Sequence, residues 1–368
     1  MAKQHPVFSG IHILVIVAAF VIIIYGVNQA QSVVALLLVS AFLALIGTPS
    51  VLWLERKRVP SALAVMTVMA GMVTLLLLVG GIVVASLSAL SEGLPFYEKR
   101  MHEQILALKP LLASKHIYVT NKILLEYLNL GPVMGLVVGL FSGMGLAISN
   151  IVLVLLTVTF ILLEASSFPI KLRSVLGDPE QVFPQFTKFV QDIKRYMIIK
   201  TIVSLSAGLT LGTWLYFLDV DFPVLWGFLA FLLHYIPNIG SILCAIPPVI
   251  LALVEHGVGT AALTATGYVV IGFTLGNVVE PRLMGRKLGL STLVVFLSLI
   301  FWGSLLGPIG MVLCIPLTMS MKFGLEIKKE TRWIAVLLGS EKPALNASLA
   351  QKKGSNLRFE KLTRLSRL

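Results

Sequence analysis

Long stretches without any Asp, Glu, Lys or Arg alternate along this chain with short charged segments. A helix needs about 20 mostly apolar residues to cross the hydrocarbon core of a bilayer, and stretches of this length predict transmembrane helices. The pattern therefore predicts a membrane protein built from helices. The uncharged stretches are 11–27, 32–54, 60–90, 132–163, 201–218, 222–254, 257–279 and 288–321.

The charges between these stretches predict which side of the membrane each connection occupies. Cytoplasmic connections are enriched in Lys and Arg, and the segments at 55–58, 164–200 and 280–287 are basic, as is the tail. The balanced segment 91–131 is expected outside, together with Asp219, Asp221 and Glu255. Both termini are therefore predicted to be cytoplasmic.

Two of the uncharged stretches, 222–254 and 288–321, are too long for one crossing and are predicted to begin and end on the same side. A straight helix of the first length would be about 50 Å long. Each stretch contains residues that break helices, because proline lacks a backbone donor and glycine permits sharp turns. The breaks are Pro237-Asn238-Ile239-Gly240 and Gly307-Pro308-Ile309-Gly310. We predict an all-α polytopic membrane protein with about six full transmembrane helices plus two re-entrant helical hairpins.

The two predicted hairpins are related in sequence. The run Ile239–Pro247 resembles Ile309–Pro316 with one deletion, and each run follows a full crossing. The two hairpins are predicted to enter from opposite faces, so 201–254 and 257–321 form an inverted repeat. Many secondary transporters build a substrate site at such a repeat.

The repeat also predicts a division of the chain into three parts. Residues 1–200 would form a scaffold or oligomerisation half, residues 201–321 a transport half, and residues 322–368 a basic cytoplasmic tail. Glycines at every fourth position of 131–143 permit close helix packing, either at an oligomer seam or within one protomer; these are Gly131, Gly135, Gly139 and Gly143.

Composition supports the membrane assignment and removes other classes. Hydrophobic residues make up 57% of the chain and charged residues 12%, and the mean hydropathy is +0.94, values outside the range of soluble domains. The net charge of +12 lies in clusters between apolar stretches, which argues against nucleic-acid binding. Cys244 and Cys314 lie in apolar stretches and are expected to be buried thiols.

The sequence lacks the motifs of common enzymes and ATP-driven pumps. It contains no Gly-Lys-Ser/Thr phosphate loop, no His pair at i,i+4 and no Gly-x-Ser-x-Gly elbow. We therefore predict a protein that is not an enzyme and needs no cofactor or metal.

Polar groups at the breaks are the candidate site. The candidate substrate-binding residues are Asn238, Gly240, Ser241, Asn277 and Gly310, and the candidate gating or structural residues are Pro237, Glu280, Arg282, Gly307 and Pro308. The alternatives are that Asn238 and Ser241 only complete a turn, and that Glu280 and Arg282 form an ordinary ion pair at a helix end. His234 and Tyr235 are expected to be packed residues. No acidic residue is predicted deep in a span, which argues against a carboxylate relay for sodium or protons.

Several of these segments resemble the autoinducer-2 exporter family of bacterial inner-membrane proteins. The resemblance is carried by the runs Tyr235–Ser241, Gly276–Gly285, Gly289–Val295, Gly307–Gly310 and Ile315–Leu317. It implies export of autoinducer-2, a small furanone-type signal, and a homo-oligomer such as a pentamer. Other members resemble sodium/proton antiporters, and a non-transporting membrane scaffold is the alternative from another class. The expected partners are thus a small solute, the lipid bilayer and further copies of the chain.

Overall fold

The computed structural model of the chain describes residues 10–113, 135, 151–176, 184–237, 239–284, 290–327 and 330–339. All regular elements in these ranges are helical. They are α1 (Gly10–Gln29), α2 (Gln31–Arg56), α3 (Ser61–Ala113), α4 (Ile151–Leu176), α5 (Pro184–Phe217), α6 (Pro223–Leu233), α7 (Gly240–His256), α8 (Val258–Phe273), a π-helix (Thr274–Val279), α9 (Glu280–Met284), α10 (Thr292–Ile327) and α11 (Arg332–Leu337).

Five helical stretches in the described ranges are long and apolar enough to cross a membrane. They are Gln31–Arg56, Ser61–Tyr97, Phe186–Phe217, Val258–Met284 and Thr292–Ile327. Many of their large apolar side chains face outward rather than into the protein, because lipid supplies apolar partners that water does not. The predicted class is confirmed: the chain is an all-α polytopic membrane protein.

Several helices extend further than the sequence pattern predicted. The helix predicted at 60–90 continues to Ala113, so that the segment 91–131 begins as helix and not as a loop. Likewise α4 continues to Leu176, and α5 begins at Pro184 instead of residue 201. The physical reason is that charged residues end a membrane-buried stretch, whereas a helix retains its backbone hydrogen bonds after it leaves the apolar region.

The two long uncharged stretches are both broken where the sequence predicted. The first consists of α6 and α7, separated by turns at 234–239. In α10 the backbone of Gly307 is non-helical, with φ 65° and ψ −148°. Trp302 Nε1 donates a hydrogen bond to Thr318 Oγ1 at 3.0 Å, although a straight helix would place these residues about 24 Å apart. Both segments therefore fold back on themselves, while the membrane face from which each enters stays a prediction.

Contacts between connections show which of them lie close together. At one end, Tyr97 Oη donates to Asp221 Oδ2 at 2.7 Å, and the Asp221 amide donates to Glu255 Oε2 at 3.2 Å. At the other end of α5, Arg195 donates to the Leu283 carbonyl at 3.4 Å. The start of α10 is tied to the segment after it, since the Ser291 amide donates to the carbonyl of Leu338. These contacts bring the start of each broken segment close to residues at or beyond its end, and the re-entrant course of both segments stays a prediction.

The apolar interior forms two clusters, and α3 contributes to both. The smaller cluster joins α2, α3 and α4 around Val65, Val158 and Leu162. The larger joins α5 to α10 with the second half of α3, including Leu90 and Tyr97. The second half of α3 therefore packs with the predicted transport half, and the division of the chain at residue 200 stays a prediction.

Some predictions lie outside the described residues. These concern Asn238, the glycines at 131, 139 and 143, and the tail from 340 onward. Gly135 is helical. Cys244 and Cys314 are buried and free.

Candidate functional site

The first tip, which we define as residues 234–239, joins α6 to α7 through short turns. The amide of Ile236 donates to the Leu233 carbonyl, and that of Ile239 donates to the Pro237 carbonyl at 2.7 Å. A Cβ added to Gly240 would overlap the backbone carbonyl of Leu233. Only glycine therefore lets the first turn of α7 lie this close to the last turn of α6.

The second tip, residues 307–310, repeats this close approach. A Cβ added to Gly310 would overlap the carbonyl oxygen of Trp302. Gly307 has a positive φ that favours glycine. The next residue, Pro308, is exposed. The related sequences of the two breaks thus produce related local structures.

The two tips contact different levels of α2. Tyr235 of the first tip packs edge-on against Phe42, with ring centroids 5.8 Å apart. A Cβ on Gly307 would lie 3.2 Å from Gln31 Nε2. Positions 31 and 42 are about 16 Å apart along a helix. The two tips therefore contact α2 about three helical turns apart.

Ser241 packs against α8, and Asn277 belongs to the π-helix that continues α8. The Ser241 Cβ is 3.4 Å from the place where a Cβ of Gly272 would be, and Gly272 precedes Asn277 by five residues. Asn277 is exposed and belongs to the π-helix. Single wide turns of this kind occur often at functional sites.

Glu280 makes a buried contact that sequence reasoning did not find. Both of its carboxylate oxygens accept hydrogen bonds from Lys200 Nζ, each at 2.9 Å, and Lys200 is only 3% exposed. Nε2 of His234 lies 3.8 Å from Glu280 Oε2. We call Lys200, Glu280 and His234 the inner polar cluster. Arg282 is exposed, so the expected ion pair at this helix end is replaced by one with α5.

The inner polar cluster joins three elements. Lys200 is near the middle of α5, His234 belongs to the first tip, and Glu280 follows the π-helix. The neighbouring hydroxyl of Tyr235 donates to Thr201 Oγ1 at 2.9 Å. The first tip is therefore held to α5 by a hydrogen bond and lies beside Glu280 without one.

Lys200 was missed because its charge was counted as part of a cytoplasmic segment. The sequence does carry a signal, since Lys200 is a single basic residue within the apolar run Met197-Ile198-Ile199-Lys200-Thr201-Ile202-Val203. His234 was predicted to be a packed residue; it is buried, and its Nε2 also lies near the carboxylate of Glu280.

A second group of charges, the outer polar cluster, lies beyond the C-terminal end of α5. It consists of Tyr97, Arg100, Asp219, Asp221, Glu255 and His256. Arg100 donates to the Glu255 carbonyl at 3.1 Å, and His256 Nδ1 lies 3.7 Å from Glu255 Oε2. Burial, together with nearby Asp221 and Asp219, raises the pKa of Glu255 to about 8. Across the described ranges, no three His, Cys, Asp or Glu side chains are arranged to hold a metal ion.

Two broken helical segments within a multi-pass helical bundle, the first with the buried polar residue His234 at its tip, are typical of a membrane protein of the transporter class. Comparison with known proteins identifies the family. The AI-2E family transporter model matches residues 12–328, and the chain belongs to this family.

Curated relatives agree with the family. The chain is 40% identical over 338 residues to the AI-2 transport protein TqsA of Escherichia coli K12, covering 92% of this chain and 98% of that protein. It is 33% identical over 343 residues to the putative transport protein YhhT of the same organism, covering 93% and 98%. A putative transport protein of Haemophilus influenzae is 35% identical over 329 residues, covering 88% and 94%. The chain is therefore a multi-pass membrane transporter.

Proposed function

We propose that this protein exports autoinducer-2, or a similar small polar metabolite, across the bacterial inner membrane by alternating access. The substrate is proposed from the 40% identity to the AI-2 transport protein TqsA along nearly the whole length of both chains. The mechanism is supported by the two broken segments, the first of which places His234 beside the ion pair of Lys200 and Glu280. A scaffold without transport has no support among the relatives.

The proposal assigns roles to the predicted site residues. Ser241 and Asn277, with Asn238, would contact the solute, while Gly240 and Gly310 keep the tips compact enough to close over it. Pro237, Gly307 and Pro308 would set the turns at the tips. Glu280 would act in gating through Lys200, with Arg282 at the exposed end of the same short helix.

The setting is also part of the proposal. Both termini face the cytoplasm, the protein acts as a homo-oligomer such as a pentamer, and it performs no chemistry on the solute. The asymmetry of basic segments supports the orientation.

Transport into inverted vesicles tests the function. Labelled autoinducer-2 should accumulate in vesicles that contain the protein and not in vesicles that contain the Gly310→Val variant. Equal accumulation in the two preparations would contradict the proposal. An imposed proton or sodium gradient, compared with no gradient, identifies the energy source.

Sodium/proton antiport is the second candidate, and one observation favours it. The sequence argued against a carboxylate relay because no acidic residue was placed deep in a span, yet in the structure the partly buried Glu280 binds the buried Lys200. Proton movement driven by sodium in the same vesicles, without any solute, would select this function instead.

A further inference from the structure

The inner polar cluster is buried but incompletely paired. A lysine ammonium group has three donors, and in the described part of the chain two of its hydrogen bonds go to Glu280. Nε2 of His234 is buried and has no hydrogen-bond partner there. An unsatisfied buried polar atom is costly, so the free nitrogen marks a position at which a ligand atom would be stabilised.

Stabilisation of the fold does not by itself explain why this ion pair is present. Two charges lose their hydration on burial, and replacing such a pair by neutral groups is often without cost to the fold. Ionisable residues inside membrane proteins usually belong to a pathway or a binding site. The π-helix directly before Glu280 is a further irregularity of the kind found at functional sites.

The charges of the cluster indicate the chemistry of its ligand. Lys200 and Glu280 cancel each other, so a charged solute would leave one charge unbalanced in a buried place. A neutral solute with hydroxyl groups avoids this problem. Its oxygens accept from an ammonium group, and its hydroxyls donate to a carboxylate and to a free imidazole nitrogen.

We infer that Lys200, Glu280 and His234 form the recognition site for a small neutral solute with adjacent hydroxyl groups. Lys200 Nζ donates to one solute oxygen, and that hydroxyl donates to Glu280. The adjacent hydroxyl donates to His234 Nε2. Without solute, Lys200 and Glu280 satisfy each other. This inference rests on the proposed transport function, adds Lys200, Glu280 and His234 to the residues proposed to contact the solute, and names the class of that solute.

The site also connects recognition to movement. Its residues come from α5, from the first tip and from the turn after the π-helix, so a bound solute contacts three elements at once. A solute that separates Lys200 from Glu280 removes a direct link between α5 and α9. Binding thereby replaces the direct link by one through the solute, so that the relative position of these elements depends on whether solute is bound.

The sharpest test replaces His234. Because Nε2 has no partner, His234→Phe removes no hydrogen bond at that atom, and the thermal midpoint of the purified protein should stay near that of the wild type. The KM for transport should rise about tenfold, as expected for one lost hydrogen bond, with little change in maximal rate. His234→Gln, which keeps an acceptor, should recover most of the affinity.

A second variant removes both charges together. Lys200→Met with Glu280→Gln leaves no unpaired buried charge, so the fold should be retained. Its KM should rise tenfold or more, because contacts to charged groups are the stronger ones. If the double variant does not fold, the His234 pair of variants decides alone.

The solutes provide the matched control. The full-length protein in vesicles is given labelled autoinducer-2 or a furanone of the same size whose hydroxyls are replaced by hydrogen. The wild type should prefer the hydroxylated compound, and His234→Phe should lose that preference. If the folded variants keep the wild-type KM and the wild-type preference, the inference is overturned while the proposed transport function stands.

A binding experiment distinguishes a failure of the proposed substrate from a failure of the proposed recognition site. If the wild type transports neither furanone, a panel of small 1,2-diols is tested for a shift in the thermal midpoint of the protein. A shift that disappears in His234→Phe supports the site although the proposed substrate fails. No shift with any diol overturns the site as well.

Discussion

Gly240 and Gly310 occupy the most crowded backbone positions at the two tips. A Cβ at either position would overlap a main-chain carbonyl, which cannot move as a side chain does. We predict that Gly240→Ala and Gly310→Ala each destabilise the protein by at least about 1–3 kcal/mol, the usual range for overpacking. Thermal unfolding in detergent and vesicle transport measure the effect, and valine should abolish transport.

Gly259 is the matched control for these two glycines. It lies in the first turn of α8, and a Cβ there would meet no atom within 4 Å. Gly259→Ala should be neutral or slightly stabilising, because alanine favours helix more than glycine does. Equal loss of transport in all three variants would show that crowding at the tips is not the cause.

Glu255 predicts how stability depends on pH. Burial raises its pKa from 4.5 to about 8, so the folded protein binds this proton more tightly than the unfolded chain does. The stabilising contribution is fully present below about pH 4.5 and is lost as pH rises through about 8. The thermal midpoint, measured from about pH 5 to about pH 9, should fall with rising pH through this group.

Glu255→Gln isolates that contribution. Glutamine retains an oxygen that can accept from the Asp221 amide, but it does not titrate. The thermal midpoint of the variant should depend on pH less steeply than that of the wild type. If the thermal midpoints of the variant and the wild type change with pH in parallel, other groups of the outer polar cluster cause the pH dependence.

At the scale of elements, the broken segments make a prediction about accessibility. Asp219 and His256 flank the first broken segment at one end of the molecule, whereas Arg282 and Trp333 lie among the connections assigned to the other side. Single cysteines at Asp219 and His256 should react with an impermeant thiol reagent from outside the cell. Cysteines at Arg282 and Trp333 should react only in inverted vesicles.

The native thiols do not interfere with this measurement. Cys244 and Cys314 are buried, and a chain with both replaced by alanine serves as the unlabelled background. If Asp219→Cys and His256→Cys react from opposite sides, α6 and α7 together make a single net crossing of the membrane, and the hairpin interpretation fails.

For the whole molecule, the packing of α3 changes which parts are expected to move together. Its second half packs into the larger apolar cluster and bonds to the outer polar cluster through Tyr97 and Arg100. We therefore expect this half of α3 to move with the transport half, not with the scaffold. The contact between Phe42 and Tyr235 instead connects the proposed scaffold half to the proposed transport half.

Two cross-links distinguish these contacts. Joining Phe42→Cys to Tyr235→Cys with a short bifunctional thiol reagent should stop transport, and a reducible reagent should allow recovery. Joining Tyr97→Cys to Asp221→Cys should leave most of the transport rate. Full transport with the first pair locked would rule out a moving first hairpin, and a gated channel would remain.

The sequence by itself determined the features that depend on local chemistry. Uncharged stretches identified the spans, since a charge is costly in lipid, and Gly307 and Pro308 marked the break within α10 because backbone geometry is a property of the residue. The family resemblance, carried by the same breaks, was confirmed by the match over residues 12–328.

Only the tertiary structure decided which distant groups meet. Lys200 and Glu280 are 80 positions apart. The sequence pattern around a charged residue near the end of a span does not distinguish a side chain in water from one with a buried partner. The continuation of α3 to Ala113 and the contact of the two tips with different levels of α2 were likewise hidden. Both depend on packing between helices, and packing partners are not written in the local pattern of apolar and charged residues.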